Sequence, residues 1–359
     1  MNSYPMPATP LNQKLLTGGA TPGEYRGVET PARFSDGASE FHALTTACGV
    51  YDLGWRAKMI VAGKDRHRWL NGMVTNNIKD LTLNRGNYSF LLNPQGRIQG
   101  DLCTYNRGDY LLIDTDYSQL DGMLKLLKRY IIMDDVQLTD AGEKITAIGV
   151  QGSKSREVLQ QAGIAVPELE RMQVADLVWN NIQISLVRPS DNAPESYELW
   201  APVENIDKLW DAMLQAGAVP VGAEALEQLR VLTGVPRYGV DIRERDLPQE
   251  TEQSHALNFT KGCYIGQEIV ERIRSRGNVH RSFRGFIFAG EAPAPGVKLQ
   301  ADGKEVGEIT SVARVPAING GSERVLGLGY IRKEALEGGA KIQYAGGEAQ
   351  PEKTPFPLR

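Results

Sequence analysis

From Asp36 onward, short strand-like runs alternate with longer amphipathic stretches, and that alternation restricts the chain to a mixed architecture. The strand-like runs are Ala57 to Val61, Tyr88 to Leu92, Tyr110 to Asp114, Ile145 to Val150 and Gln183 to Val187. Between Tyr117 and Tyr130, Leu120, Met123, Leu124 and Leu127 recur at helical spacing, continuing to Ile131. A second helix is predicted from Glu204 to about Ala216, with Gly217 at the position of a C-terminal cap, and a third follows Gly222. The β-α-β-β order argues for α+β subdomains of split βαβ type, and no G-x-G-x-x-G or G-x-x-x-x-G-K-[ST] occurs to support a nucleotide fold. After Arg281 the pattern changes. The runs Phe283 to Phe288, Val306 to Val315, Val325 to Ile331 and Lys341 to Tyr344 are separated by Gly- and Pro-containing turns, which predicts a small β-barrel or sandwich. Residues 1–33, rich in Pro, Gly and Thr, read as an extension, and the Pro-rich end reads as a tail.

Composition excludes several classes of function. Forty Lys plus Arg against forty-four Asp plus Glu give a net charge of −4, so no global field draws the chain to nucleic acid or an anionic membrane. No apolar stretch approaches the ~18–20 residues that span a bilayer, and the N-terminal residues have neither the basic leader nor the apolar core of a secretory signal. His42, His67, His255 and His280 show no tight zinc spacing, so no metal site is expected. Cys48, Cys103 and Cys263 cannot all pair, which suits a cytoplasmic protein with reduced thiols.

The densest chemical feature is Lys261-Gly262-Cys263-Tyr264-Ile265-Gly266-Gln267-Glu268. A thiol stands between two glycines, with the Lys261 ammonium two positions before it and the Glu268 carboxylate five after. A nearby cation favours the thiolate, the reactive form of cysteine. A buried cysteine filling a loop is the competing reading, since no histidine lies close in sequence to act as a base. Asn93-Pro94-Gln95-Gly96 is a turn signal that places Tyr88 and Asp101 on adjacent strands.

KGCYIGQE, with the preceding GVPRYGVDIRERDLPQE, resembles the signature of the YgfZ-type folate-binding proteins, relatives of the glycine-cleavage T-protein, an aminomethyltransferase. The segments GVYDLGWRAKMIVAGKDRHRWLNGMVTNNI, YSFLLNPQGRIQGDL and SYELWAPVENIDKLWDAMLQAGAVPVGAEALEQLRVLTG are similar to the same family, and the resemblance covers approximately Phe34 to Tyr344. It implies two intertwined α+β subdomains around a folate cavity, closed by a C-terminal β-barrel into a three-domain ring. The implied boundaries are 1–33 for the extension, 34–260 for the folate-binding region, 261–280 for the cysteine motif and basic linker, 281–346 for the barrel and 347–359 for the tail.

The resemblance also implies tetrahydrofolate, or a one-carbon derivative of it, held by Tyr88, Asp101, Glu198, Arg230 and Tyr238. A carboxylate such as Glu198 can accept two hydrogen bonds from the donor edge of a pterin. Trp200, on the same strand face as Glu198, is a candidate for stacking on the pterin. Asp101 follows Gly100, where the aminomethyltransferases usually carry two adjacent acids, so one carboxylate stands here in place of two. The leading expectation is therefore a folate-binding protein that supports iron–sulfur cluster assembly and tRNA-modifying iron–sulfur enzymes, with Cys263, Lys261 and Glu268 doing the thiol work. Its expected partners are cluster-assembly proteins or client enzymes. The alternative is a tetrahydrofolate-dependent aminomethyltransferase, with Asp101 as the catalytic group that manages protons on the folate nitrogen or the departing amine.

Five arginines between Arg272 and Arg284, with no acid among them, make a local basic stripe. One reading is a site for a folate glutamate tail or for RNA phosphate, which would make the chain a tRNA-binding module. The other is a solvated edge strand paired with Asp241, Glu244, Asp246, Glu250 and Glu252.

Overall fold

The computed structural model describes residues 7–190, 195–277, 279–318, 320–339 and 341–357. Residues 1–6 of the predicted extension, Asn278 within the basic stripe, and Leu358 and Arg359 of the tail lie outside the described residues. The chain forms two compact units. The first comprises the described residues of Met1–Met73, Asn77–Ser89 and Leu102–Leu226; the second comprises those of Val74–Asn76, Phe90–Asp101 and Glu227–Arg359.

The first unit carries a six-stranded sheet in the order Val174–Trp179, Ile182–Val187, Ser196–Pro202, Ile145–Gln151, Gly49–Asp52, Val219–Pro220. All its pairings are antiparallel except the last, where Val219 and Pro220 run parallel to Gly49 and Val50. The helix Ile206–Gln215 buries Ile206, Leu209, Trp210 and Met213 in this sheet's core, as the spacing predicts, and Gly217 takes a positive φ of 92° just past its end. A second sheet runs in the order Gly86–Leu92, Ile98–Asn106, Leu111–Asp116, Arg56–Ala62, Gln137–Asp140. The central strand Leu111–Asp116 is buried at every residue, so its two aspartates need internal partners.

Residues 7–33 are not an appendage. Leu11 and Leu15, on and beside the short helix Asn12–Thr17, are fully buried in the core of the six-stranded sheet, and Ala32 and Thr21 close a backbone ladder. Their apolar content is too sparse to show a period, yet two leucines four apart suffice to dock one helical turn.

In the second unit, six strands close into a barrel in the order Arg281–Gly290, Arg324–Arg332, Lys304–Val315, Lys298–Ala301, Gln343–Tyr344, Gly347–Glu352. Phe286, Leu299, Ile309 and Ile331 fill it, each fully buried. The expected tail from residue 347 supplies the closing strand: Gly285 to Gly290 pair with Glu352 to Gly347, and Phe356 is buried beyond it. Closure removes the open edges that a five-stranded sheet would leave. The expected basic linker is a helix, Gln267–Arg276.

Candidate functional site

Within the first unit, Glu198 sits on the central strand Ser196–Pro202 and is half-buried. Its Oε2 accepts a 2.7 Å hydrogen bond from the indole N–H of Trp200, while Oε1 has no hydrogen-bond partner among the described residues. Burial, and then the charge of Asp114, push its carboxyl above the usual carboxylate range, against the pull of Lys58 and Arg56. Trp200 is itself buried: Lys58 Nζ lies 5.0 Å from its ring centroid and Tyr105 meets it edge-on at 5.0 Å. A pterin could not stack on it without displacing one of them, so the predicted stacking role becomes a positioning role for the Glu198 carboxylate.

Beneath Glu198 lies a buried ionic network that sequence reasoning missed. Lys58, fully buried, donates at 2.7 Å to Asp114, which also receives Arg56 at 2.6 Å. Arg56 reaches Asp116 at 2.7 Å, and Arg26 completes the chain to Asp116 at 2.6 Å while lying over the Trp55 ring. Although burial opposes it, these cations hold both aspartates below their ordinary range. Tyr88 lies in the same unit on Gly86–Leu92, half-buried.

Within the second unit, the charge of Asp101 acts on Tyr238. Burial first, then the charges of Glu244, Asp101 and Asp246, raise the Tyr238 phenol and keep it protonated. The hairpin that presents Asp101 turns at Asn93–Gly96 as predicted: the Gly96 N–H donates to Asn93 O at 2.9 Å, and Gly96 adopts φ 71°.

Arg230 departs from the predicted ligand role. Its five N–H donors are already used: Nε and Nη2 on Glu227, Nη1 on Val235 O and Asp241, and Nη2 also on Ser311. A guanidinium has no sixth donor, so this residue braces the helix Ala223–Thr233 against the barrel strand of Ser311.

Of the three cysteines, Cys48 and Cys103 are buried and Cys263 is exposed. The residues expected to assist it are engaged elsewhere. Lys261 Nζ donates to Val74 O at 2.6 Å and Asn76 O at 2.7 Å and lies over the Tyr264 ring, and burial lowers its pKa to about 7. Glu268 is exposed on the first turn of Gln267–Arg276, paired with Arg272 at 3.1 Å. The motif's Gly266 has a packing reason: at φ 82° it lies so close to the hairpin turn that a Cβ would meet Asn93 O at 2.6 Å.

The basic stripe is divided. Arg272 and Arg274 lie on the helix, paired with Glu268 and Glu271, whereas Arg281 and Arg284 lie on the first barrel strand. Arg281 meets Asp246 and Glu250, and Arg284 meets Glu252, so the predicted pairing with the acidic run holds for the strand half alone. No cluster of three or more His, Cys, Asp or Glu suited to a metal ion occurs among the described residues, and no described helix is long and apolar enough to cross a membrane.

A family model described as the GCVT N-terminal domain matches residues 11–261. The chain belongs to the GCVT family. Among its relatives, the aminomethyltransferase of Caldanaerobacter subterraneus subsp. tengcongensis is 26% identical over 328 residues, covering 89% of this chain and 86% of the relative. The aminomethyltransferase of Thermus thermophilus is 26% identical over 366 residues, covering 98% and 99%. The crystal structure of the glycine cleavage system aminomethyltransferase T from Bartonella henselae superposes with a TM-score of 0.89 at 18% identity, covering 99% of both chains. At that identity the likeness establishes the shared fold, and the closed barrel is part of it.

Proposed function

We propose that this GCVT-family protein binds tetrahydrofolate and takes part in one-carbon transfer of the aminomethyltransferase type. The observation that carries the reading is Glu198: a carboxylate oriented by the Trp200 N–H, with its second oxygen open among the described residues to accept from the amino and ring N–H groups of a pterin. Aminomethyltransferases covering nearly the whole chain support the same class of chemistry. Tetrahydrofolate supplies the nitrogen nucleophiles that take up a one-carbon unit. On this chain Glu198 binds and orients the pterin, and Lys58 with Arg56 keeps the Asp114 charge beside Glu198 compensated. In this reading Asp101 takes or gives a proton, in the general acid–base manner. Arg230 is not a ligand in this reading, because all its donors are used within the protein.

Titration with tetrahydrofolate, followed by tryptophan fluorescence, tests the binding step. Wild type is expected to saturate and Glu198→Gln to bind at least tenfold more weakly, with unchanged thermal stability. Equal affinity of the two proteins overturns the assignment of Glu198. Formation of methylenetetrahydrofolate from an aminomethyl-loaded carrier protein tests the transfer step, with Asp101→Asn expected to lose it while retaining folate binding.

A second reading is favoured by one observation, the exposure of Cys263 where Cys48 and Cys103 are buried. In this reading the chain serves iron–sulfur enzymes, including those that modify tRNA, through the Cys263 thiol, and the KGCYIGQE resemblance to YgfZ-type proteins supports it. Complementation of a strain lacking the protein separates the two. Loss of iron–sulfur enzyme activity with Cys263→Ala, alongside intact folate binding, favours the thiol role; full recovery removes it.

A further inference from the structure

One end of the barrel carries a groove of 390 Å³, within the ~300–1,000 Å³ of small-molecule sites. Four neighbouring strands build it. Register sets Arg281 opposite Arg332, Tyr330 opposite Glu308, and Glu308 opposite Lys298, and Arg245 reaches the same rim.

The charges in this groove are unequally matched. Like charges directly opposite on neighbouring strands are unfavourable, and Arg281 faces Arg332. Arg281 is compensated by Asp246 at 2.7 Å and Glu250 at 3.0 Å, but the guanidinium of Arg332 has no ion pair or side-chain hydrogen bond among the described residues. On the opposite wall, Arg243 at 2.6 Å, Lys298 at 3.1 Å and Arg245 at 3.3 Å all converge on Glu308, and Lys298 also meets Glu305 at 3.1 Å. Behind the wall, Nε and Nη2 of Arg243 and the hydroxyl of Tyr330 are buried with no hydrogen-bond partner among the described residues. These unmatched groups are all able to donate. Five cations, Arg243, Arg245, Arg281, Lys298 and Arg332, thus meet four carboxylates, Asp246, Glu250, Glu305 and Glu308, and the groove has a surplus of one positive charge and of donors.

We propose that this end of the barrel is a binding site for a small molecule bearing a phosphate or carboxylate group, with Arg332 and Arg245 as its principal contacts. Both are exposed, planar and forked, and match an oxyanion in a bidentate manner. Neither the ionic network beneath Glu198 nor Cys263 enters the argument, so the site stands independently of the folate reading.

Calorimetric titration of the full chain with inorganic phosphate and, separately, glutarate, at ionic strength held constant with sodium chloride, tests the proposal. Saturable binding of one or both is expected, and the preferred anion identifies which oxyanion the site serves. The double variant Arg245→Ala/Arg332→Ala should weaken that binding at least tenfold with no change in thermal midpoint in the absence of anion. Arg272→Ala/Arg274→Ala, on the helix outside the groove, should bind as wild type does. Absence of saturation by both anions overturns the proposal, as does an equal loss of affinity in the two double variants.

Discussion

Replacing Lys58 by Met probes the network that sets the electrostatics of Glu198. The ammonium is 0% exposed and lies 2.7 Å from Asp114. At an effective dielectric of ~20, two unit charges at that separation attract by ~6 kcal/mol, and the desolvation of the ammonium takes back several kcal/mol of this. Breaking a buried pair from one side typically costs ~3–5 kcal/mol because the remaining charge is left buried. Asp114 keeps Arg56 at 2.6 Å, so the lower end, ~3 kcal/mol, is the expected loss. Trp55, Trp69, Trp179, Trp200 and Trp210 all lie in the first unit, so urea unfolding followed by tryptophan fluorescence reports that unit directly. Adding Asp114→Asn to Lys58→Met should cost less than the sum of the two single changes, since each removes the other's buried partner. Loss of Lys58 should also raise the Glu198 carboxyl further, because the Lys58 charge pulls it down in the wild type. A Lys58→Met loss below ~1 kcal/mol, or strict additivity in the double-mutant cycle, would refute the reasoning.

Three further outcomes follow from groups outside that network. Burial pushes Asp52 up to about 6, against hydrogen bonds from Thr9 and Gly54. Its stabilising contribution is therefore complete below its ordinary pKa and lost as pH rises through 6, by ~3 kcal/mol for two pH units; Asp52→Asn should remove that part of the decline when unfolding is compared at pH 4 and pH 7.5. Lys261 titrates in the opposite sense: with its pKa lowered to about 7 by burial, the unfolded chain binds more protons between 7 and the ordinary lysine value, so stability rises with pH there. Calorimetry at pH 7 and 9 should show that rise in wild type and its absence in Lys261→Met. Gly266→Ala places a Cβ 2.6 Å from Asn93 O at a positive φ, and a loss of ~1–3 kcal/mol is expected by thermal unfolding.

The strands read from β-branched and aromatic runs sit where the structure has them: Ala57 to Val61 within Arg56–Ala62, and Val306 to Val315 within Lys304–Val315. What composition obscured was docking at the two ends of the chain. Leu11 and Leu15 lie among Pro, Thr and Gly, and Ala349 alternates with Glu348, Gln350 and Pro351. Neither segment carries enough apolar residues to declare itself, and each buries its few apolar side chains among residues distant in sequence. Arginine density misled in a different way: Arg272, Arg274 and Arg276 fall on a helix that begins at Gln267, immediately after a glycine at φ 82°. The glycine was visible as a tight turn, but its role as the boundary of a helix depends on its packing against the Asn93–Gly96 hairpin, more than 160 residues away in sequence.

The candidate site shows the same limit more sharply. Glu198 and Trp200 are two residues apart, and strand alternation alone places them on one face; the indole-to-carboxylate hydrogen bond confirms it. The Lys58–Asp114 pair has no such local signal. On strand Arg56–Ala62, Lys58 occupies a position that would ordinarily be read as facing solvent, and the two partners are separated by 56 residues. A lysine on a strand becomes a buried ion only when the neighbouring strand is buried on both faces and brings a carboxylate into register. Lys58 and Asp114 are such a register pair across antiparallel strands. Arg230 inverts the case: its residue type and position suit a ligand contact, but Glu227, Val235 O, Asp241 and Ser311 exhaust its donors. Residue type therefore indicates what a side chain can bind, and the number of donors and acceptors left after folding decides whether it does. By that count Glu198 Oε1 is available to a ligand among the described residues and the Arg230 guanidinium is not.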